Sequence, residues 1–112
     1  MAEGYINHPD VGTVTRLENE LVSELAGTVV RSGNIVSLQV DFTMTGGTFS
    51  DWVNIANVSL PPKDFITVMI LSDSTLANAS QVRMRIRPDN GNIQIFYGGN
   101  AKFHANITYL TA

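Results

Sequence analysis

The feature that most constrains this chain is a period of two. Between residues 36 and 44, Val36, Leu38, Val40, Phe42 and Met44 alternate with Ser37, Gln39, Asp41 and Thr43. Successive strand side chains point to opposite faces, so this run predicts a β-strand with one apolar and one polar side. The alternation returns at Gln81–Arg87, where Val82, Met84 and Ile86 share a side. It returns again at Lys102–Leu110, where Phe103, Ala105, Ile107 and Tyr109 oppose Lys102, His104, Asn106 and Thr108. Turn residues punctuate these runs. Ser32-Gly33 predicts a tight hairpin from Thr28–Arg31 into the long strand, which Gly46-Gly47 ends, and Pro61-Pro62 stops a strand over Trp52–Leu60. Asp89-Asn90-Gly91 predicts a hairpin onto Asn92–Tyr97, and Gly98-Gly99-Asn100 turns into the last strand. Phe65–Leu71 is apolar on both sides, the pattern of a central or inter-subunit strand. Seven strands with short connections give an all-β fold, an antiparallel β-barrel or sandwich.

The first 27 residues read differently. Val14, Leu17, Leu21 and Leu25 are spaced by three, four and four, with Glu18, Glu20 and Glu24 between them, which predicts an N-terminal α-helix. Thr15 and Glu18 fit a capping box and Gly27 a C-terminal stop. A helix this short is marginal alone. It must lie on its own domain or meet copies of itself in a coiled coil. The expected organisation is therefore a leader and stalk helix over residues 1–27 and a β head over residues 28–112. Charge divides at the same place: five carboxylates against Arg16 give −4 in the first part, and six Lys/Arg against five Asp give +1 in the second.

Composition removes several function classes. The chain has 112 residues and no cysteine, which excludes disulfides, thiolate metal sites and Cys nucleophiles. Charged residues make up 15%, below the usual quarter, while 44% are hydrophobic. That deficit points to surface hidden in an assembly. No apolar run approaches the ~20 residues of a membrane span. MAEGYINHPD lacks the regions of a signal peptide, so neither membrane insertion nor export by a signal is expected. A net charge of −3 argues against general nucleic-acid binding.

Catalytic patterns are sparse. His8 and His104 are far apart, no nucleophile elbow or phosphate loop occurs, and no metal or cofactor is expected. Asp41 and Asp51 are the one pair that could serve a glycosidase. The most pointed feature is Arg83, Arg85 and Arg87, on one face of a strand at ~6.5–7 Å intervals. Such a row needs an offset, either carboxylates on neighbouring strands or an anionic ligand. Guanidinium forks suit phosphate, carboxylate and vicinal hydroxyls. The alternative is a solvated or salt-bridged face. Phe96-Tyr97 at a strand end and Asp51-Trp52 at a strand start are candidate saccharide platforms, with core filling as the plain alternative for each ring. His104, on the polar side of its strand, is a weaker candidate.

Four segments carry a resemblance: Gly33-Asn34-Ile35-Val36-Ser37-Leu38, Ile55-Ala56-Asn57-Val58-Ser59-Leu60-Pro61, Asn90-Gly91-Asn92-Ile93, and Ile107-Thr108-Tyr109-Leu110-Thr111-Ala112. Over about residues 28–112 this pattern resembles the C-terminal head of bacteriophage tail or baseplate receptor-binding proteins, especially those of lactococcal phages. The resemblance implies a non-catalytic homotrimer in the virion, made in the host cytoplasm. Its β-barrel heads would bind host cell-surface saccharides, and its neck would contact other baseplate proteins. In that family the sugar site resembles a His-x-Asp pair followed by a Trp. The nearest match here is Arg85-Ile-Arg87 followed by Phe96-Tyr97, so both polar types and the ring type differ. That departure implies a more anionic ligand, a phosphate-bearing cell-wall polysaccharide or teichoic acid. The competing readings are a trimerisation or scaffold module without a ligand, and a glycan depolymerase.

Overall fold

The computed structural model describes residues 10–17, 22–44, 51–71, 81–97 and 101–111, with backbone only at 71, 81 and 97. Nine strands follow in order: β1 (Asp10–Val11), β2 (Val14–Arg16), β3 (Val22–Ser32), β4 (Ile35–Met44), β5 (Val53–Val58), β6 (Ile66–Leu71), β7 (Gln81–Ile86), β8 (Asn92–Tyr97) and β9 (Ala101–Leu110). They form two sheets, β1-β3-β4-β9 and β2-β5-β8-β7-β6, in which every pairing is antiparallel.

Period two does the sorting. On β4, Val36, Leu38, Val40, Phe42 and Met44 are all buried, and on β9 so are Phe103, Ala105 and Tyr109. The second sheet answers with Ile55, Ala56 and Val58 from β5, Val82, Met84 and Ile86 from β7, and Ile93 and Ile95 from β8. Phe42 and Phe103 are register partners on adjacent strands, and their rings stack with centroids 5.2 Å apart. Hairpins close where glycine allows a left-handed backbone, at Gly33 between β3 and β4 and at Gly91 between β7 and β8. Asn90 finishes the second turn by accepting from the Asn92 N–H at 2.9 Å.

The structure revises several expectations. The all-β, antiparallel expectation holds; of its two forms the sandwich is the one found, and the barrel head is corrected because the two sheets do not close. The predicted helix is absent from the described part of its range: Val14–Arg16 pairs with β5, and Val22–Leu25 opens β3. A short helix with one narrow stripe has few internal bonds, whereas two sheet edges supply long-range backbone partners, and Val14 and Val22 favour strands. Arg16 locks this arrangement by donating to the carbonyls of Val22 and Ser23. Residue 27, where the charge changes, lies inside β3. Finally, of the two placements expected for β6, central or inter-subunit, the central one is corrected: among the described residues β6 is an edge strand of the second sheet, and Met69 on it is exposed. With β1 and β2 included, the described residues hold nine strands where seven were expected.

Tyr109 ties the last strand to the loop after β5. Its ring is buried, its hydroxyl donates to the Leu60 carbonyl, and desolvation pushes its pKa up to about 12. The unfolded chain loses this proton near pH 10, earlier than the folded one. Stability is therefore fully present below about pH 10 and falls as pH rises toward 12, by at most ~2 kcal/mol at this partly solvated hydroxyl. Urea melts at pH 9, 10.5 and 11.5 should show the decline, and Tyr109→Phe should flatten it. An equal slope in both proteins would remove Tyr109 as its source.

Candidate functional site

Burial of Val82, Met84 and Ile86 forces Arg83, Arg85 and Arg87 onto the outer face of the second sheet. Register then sets their neighbours. Arg83 stands between Met69 of β6 and Phe96 of β8, and Arg85 between Thr67 and Gln94. Gln94 in turn faces Asn54 of β5.

Arg85 is held from several sides. Its Nε donates to Gln94 Oε1 at 2.6 Å, and Gln94 Nε2 donates to Asn54 Oδ1 at 2.8 Å. The relay assigns the Gln94 amide: its nitrogen is taken by Asn54, so its oxygen faces the arginine. Gln94 is only 8% exposed, the one buried polar residue among the described side chains. The Arg85 guanidinium carbon lies 4.3 Å from the Trp52 ring centroid and 5.7 Å from that of Phe65. Trp52 also packs on Phe96, with centroids 5.4 Å apart. Contacts of this kind attract a cation electrostatically and restrict its rotamers.

Arg87 is engaged differently. Its Nε and Nη2 each donate to an Asp89 carboxylate oxygen at 3.0 Å, a two-pronged pair inside the hairpin. That bond raises the Arg87 pKa above its ordinary value and lowers that of Asp89. Arg83 is exposed and makes no ion pair among the described residues. Asp51 accepts from the Trp52 N–H at 3.2 Å, placing it at the turn that presents the ring.

Of the sequence-derived candidates, Arg83, Arg85, Arg87, Phe96 and Trp52 share one face, with Asp51 at its border. The Tyr97 side chain is outside the described residues. His104 does not join them: it lies on the outer face of the first sheet, with Nδ1 2.5 Å from Asp41 Oδ1 on the neighbouring strand. Asp41 lies on β4 of the first sheet and Asp51 just before β5 of the second, and they take different partners. A shallow cleft of about 450 Å³ surrounds the Asp41–His104 pair, bordered by Arg16, Glu24, Thr43 and Lys102. Gln94, Asn54 and Phe65 complete the arginine face and were not anticipated. The hairpin turn held the signal for Gln94, because an Asp89-Asn90-Gly91 turn places residues 85 and 94 opposite one another. Among the described residues no group of three His, Asp or Glu side chains could hold a metal ion.

This face offers a fixed planar cation, a second cation one strand step away, and aromatic surface on an open sheet. Such an arrangement is chemically suited to contact with an anion or a sugar ring. Among the described residues no helix is long and apolar enough to cross a membrane. The chain matches no family model, no curated protein and no solved structure.

Proposed function

We propose that this chain is a non-catalytic adhesion head of a bacteriophage tail or baseplate, a homotrimer that recognises host cell-surface saccharide through the arginine–aromatic face. The observation that carries the reading is Arg85, whose guanidinium is oriented by Gln94 and Trp52 on the outer face of the second sheet. An ordinary solvated arginine is not bonded to a buried amide at the cost of ordering both side chains. Sugars place their C–H faces on rings such as Trp52 and Phe96, while guanidinium N–H groups bond hydroxyls or acidic substituents. Affinity per site is weak on so open a surface, and three heads per trimer and many trimers per virion supply avidity.

The scaffold reading is favoured by one observation, the Arg87–Asp89 pair, which neutralises part of the row within the chain. The two readings separate on Arg85 and Trp52. Purified Arg85→Ala and Trp52→Ala heads should keep the trimer by sedimentation, yet lose at least ~10-fold in binding to host cell walls, ~1.4 kcal/mol per site before avidity multiplies it. Wall binding unchanged by both substitutions would leave the scaffold reading in possession of the face.

A further inference from the structure

We propose that the ligand of this face is an oxyanion, a phosphodiester or carboxylate carried by a surface polymer, gripped jointly by Arg83 and Arg85 and not by Arg87. This rests on the saccharide-recognition reading and narrows it to acidic polymers. The argument is one of accounting for charge and donors. Arg87 has its charge and two of its N–H groups committed to Asp89. Arg85 uses only Nε within the protein; among the described residues its two Nη groups donate to nothing. Trp52 and Phe65 rings flank its guanidinium carbon at 4.3 and 5.7 Å, and the Nη edge is where its uncommitted N–H donors point. That edge is a two-pronged fork whose geometry matches two oxygens of one phosphate or carboxylate, and a lone sugar hydroxyl fills only half of it.

Among the described residues, no carboxylate answers the charge of Arg83 and Arg85. The outward side chains beside Arg83 and Arg85 are Thr67, Met69, Gln94, Phe96 and Asn54, all neutral. The described carboxylates at the border are Asp51, Asp64 and Asp89. Asp89 is taken by Arg87, and neither Asp51 nor Asp64 makes an ion pair with either arginine. Two guanidinia on alternate residues of one strand, with Cα atoms ~6.5–7 Å apart, repel each other. Ordering Arg85 against Trp52 and Gln94 holds that repulsion in place, and an anion between the two forks relieves it. Trp52 and Phe65 lower the local dielectric, which strengthens the contact with an anion.

The test uses the full 112-residue chain and four probes: inorganic phosphate, a glycerol-phosphate polymer, polygalacturonate and neutral dextran. Arginine Nε–Hε and indole N–H resonances are followed by NMR, and polymer affinity by calorimetry. Inorganic phosphate should shift the Arg85 and Arg83 signals and leave Arg87 unmoved. At least one acidic polymer should bind while dextran does not, and the stronger of the two identifies phosphodiester or carboxylate as the natural group. Arg83→Ala and Arg85→Ala should each weaken that binding at least ~10-fold. Arg85→Lys, which keeps the charge and loses the fork, should weaken it nearly as much, and Arg87→Ala less than ~3-fold. Dextran binding that is as tight as the acidic polymers and sensitive to Arg85→Ala would overturn the oxyanion inference and leave the saccharide reading standing. Absence of any polymer binding together with no phosphate shift would overturn both. An Arg87→Ala loss equal to that of Arg85→Ala would overturn the division of labour.

Discussion

Phe103→Ala is expected to lower the free energy of unfolding by about 3–5 kcal/mol, measured by urea denaturation at neutral pH. Phe103 is fully buried, and it stands opposite Phe42 in the β4–β9 register with the rings stacked at 5.2 Å. Truncation removes the ring's transfer energy, leaves a cavity between two sheets that their hydrogen-bonded ladders hold apart, and strips Phe42 of its aromatic partner. Phe103→Leu keeps most of the volume and should cost less than half as much. His104→Ala is the control one residue along: its side chain lies on the opposite face and is exposed, so its loss should cost about 1 kcal/mol or less, its contact with Asp41 included. Similar losses for Phe103→Ala and His104→Ala would contradict the inward and outward assignment of β9.

That pair of substitutions also marks what the sequence made legible. Where a strand has one buried face, alternation alone assigns every side chain, and β4, β7 and β9 follow from it without further information. The error at the N-terminal end has a physical cause. β1 and β2 have two and three residues, too few to display any period. In β3 a register shift between Val22 and Glu24 resets the alternation just where the helical spacing was read. Gln94 matters because it faces both Arg85 and Asn54, a property of two registers at once that no single run of sequence displays. Asp89 was read only as a turn residue, so its claim on Arg87 went unseen. His104 and Asp41 are far apart in sequence and meet only because β9 lies beside β4. β6 looks central because both sides are apolar. A sequence shows what a strand would bury, not which strand lies next to it.

Gly91→Ala should be the second large effect, about 2–4 kcal/mol, and it is best judged against Gly33→Ala at about 1 kcal/mol. Both glycines sit in hairpins with positive φ, 75° at Gly91 and 65° at Gly33, so both pay the left-handed penalty of a residue with a Cβ. They differ in what that Cβ would meet. At Gly33 there is nothing within 4 Å. At Gly91 it would stand 2.3 Å from the Val58 carbonyl oxygen, a backbone atom that cannot rotate away. The Val58 N–H donates to the Gly91 carbonyl at 2.8 Å, so moving the turn to relieve the clash breaks the bond that ties the β7–β8 hairpin to β5. Because that hairpin carries Arg83, Arg85 and Gln94, and Asn54 is supplied by β5, the same displacement disturbs the hydrogen-bond relay behind Arg85. Gly91→Ala should therefore weaken polymer binding even below its unfolding midpoint, whereas Gly33→Ala, in a hairpin of the other sheet with nothing within 4 Å of its Cβ, should leave binding intact. Equal stability losses at the two glycines would show that the left-handed backbone, and not the contact with Val58, sets the cost at residue 91.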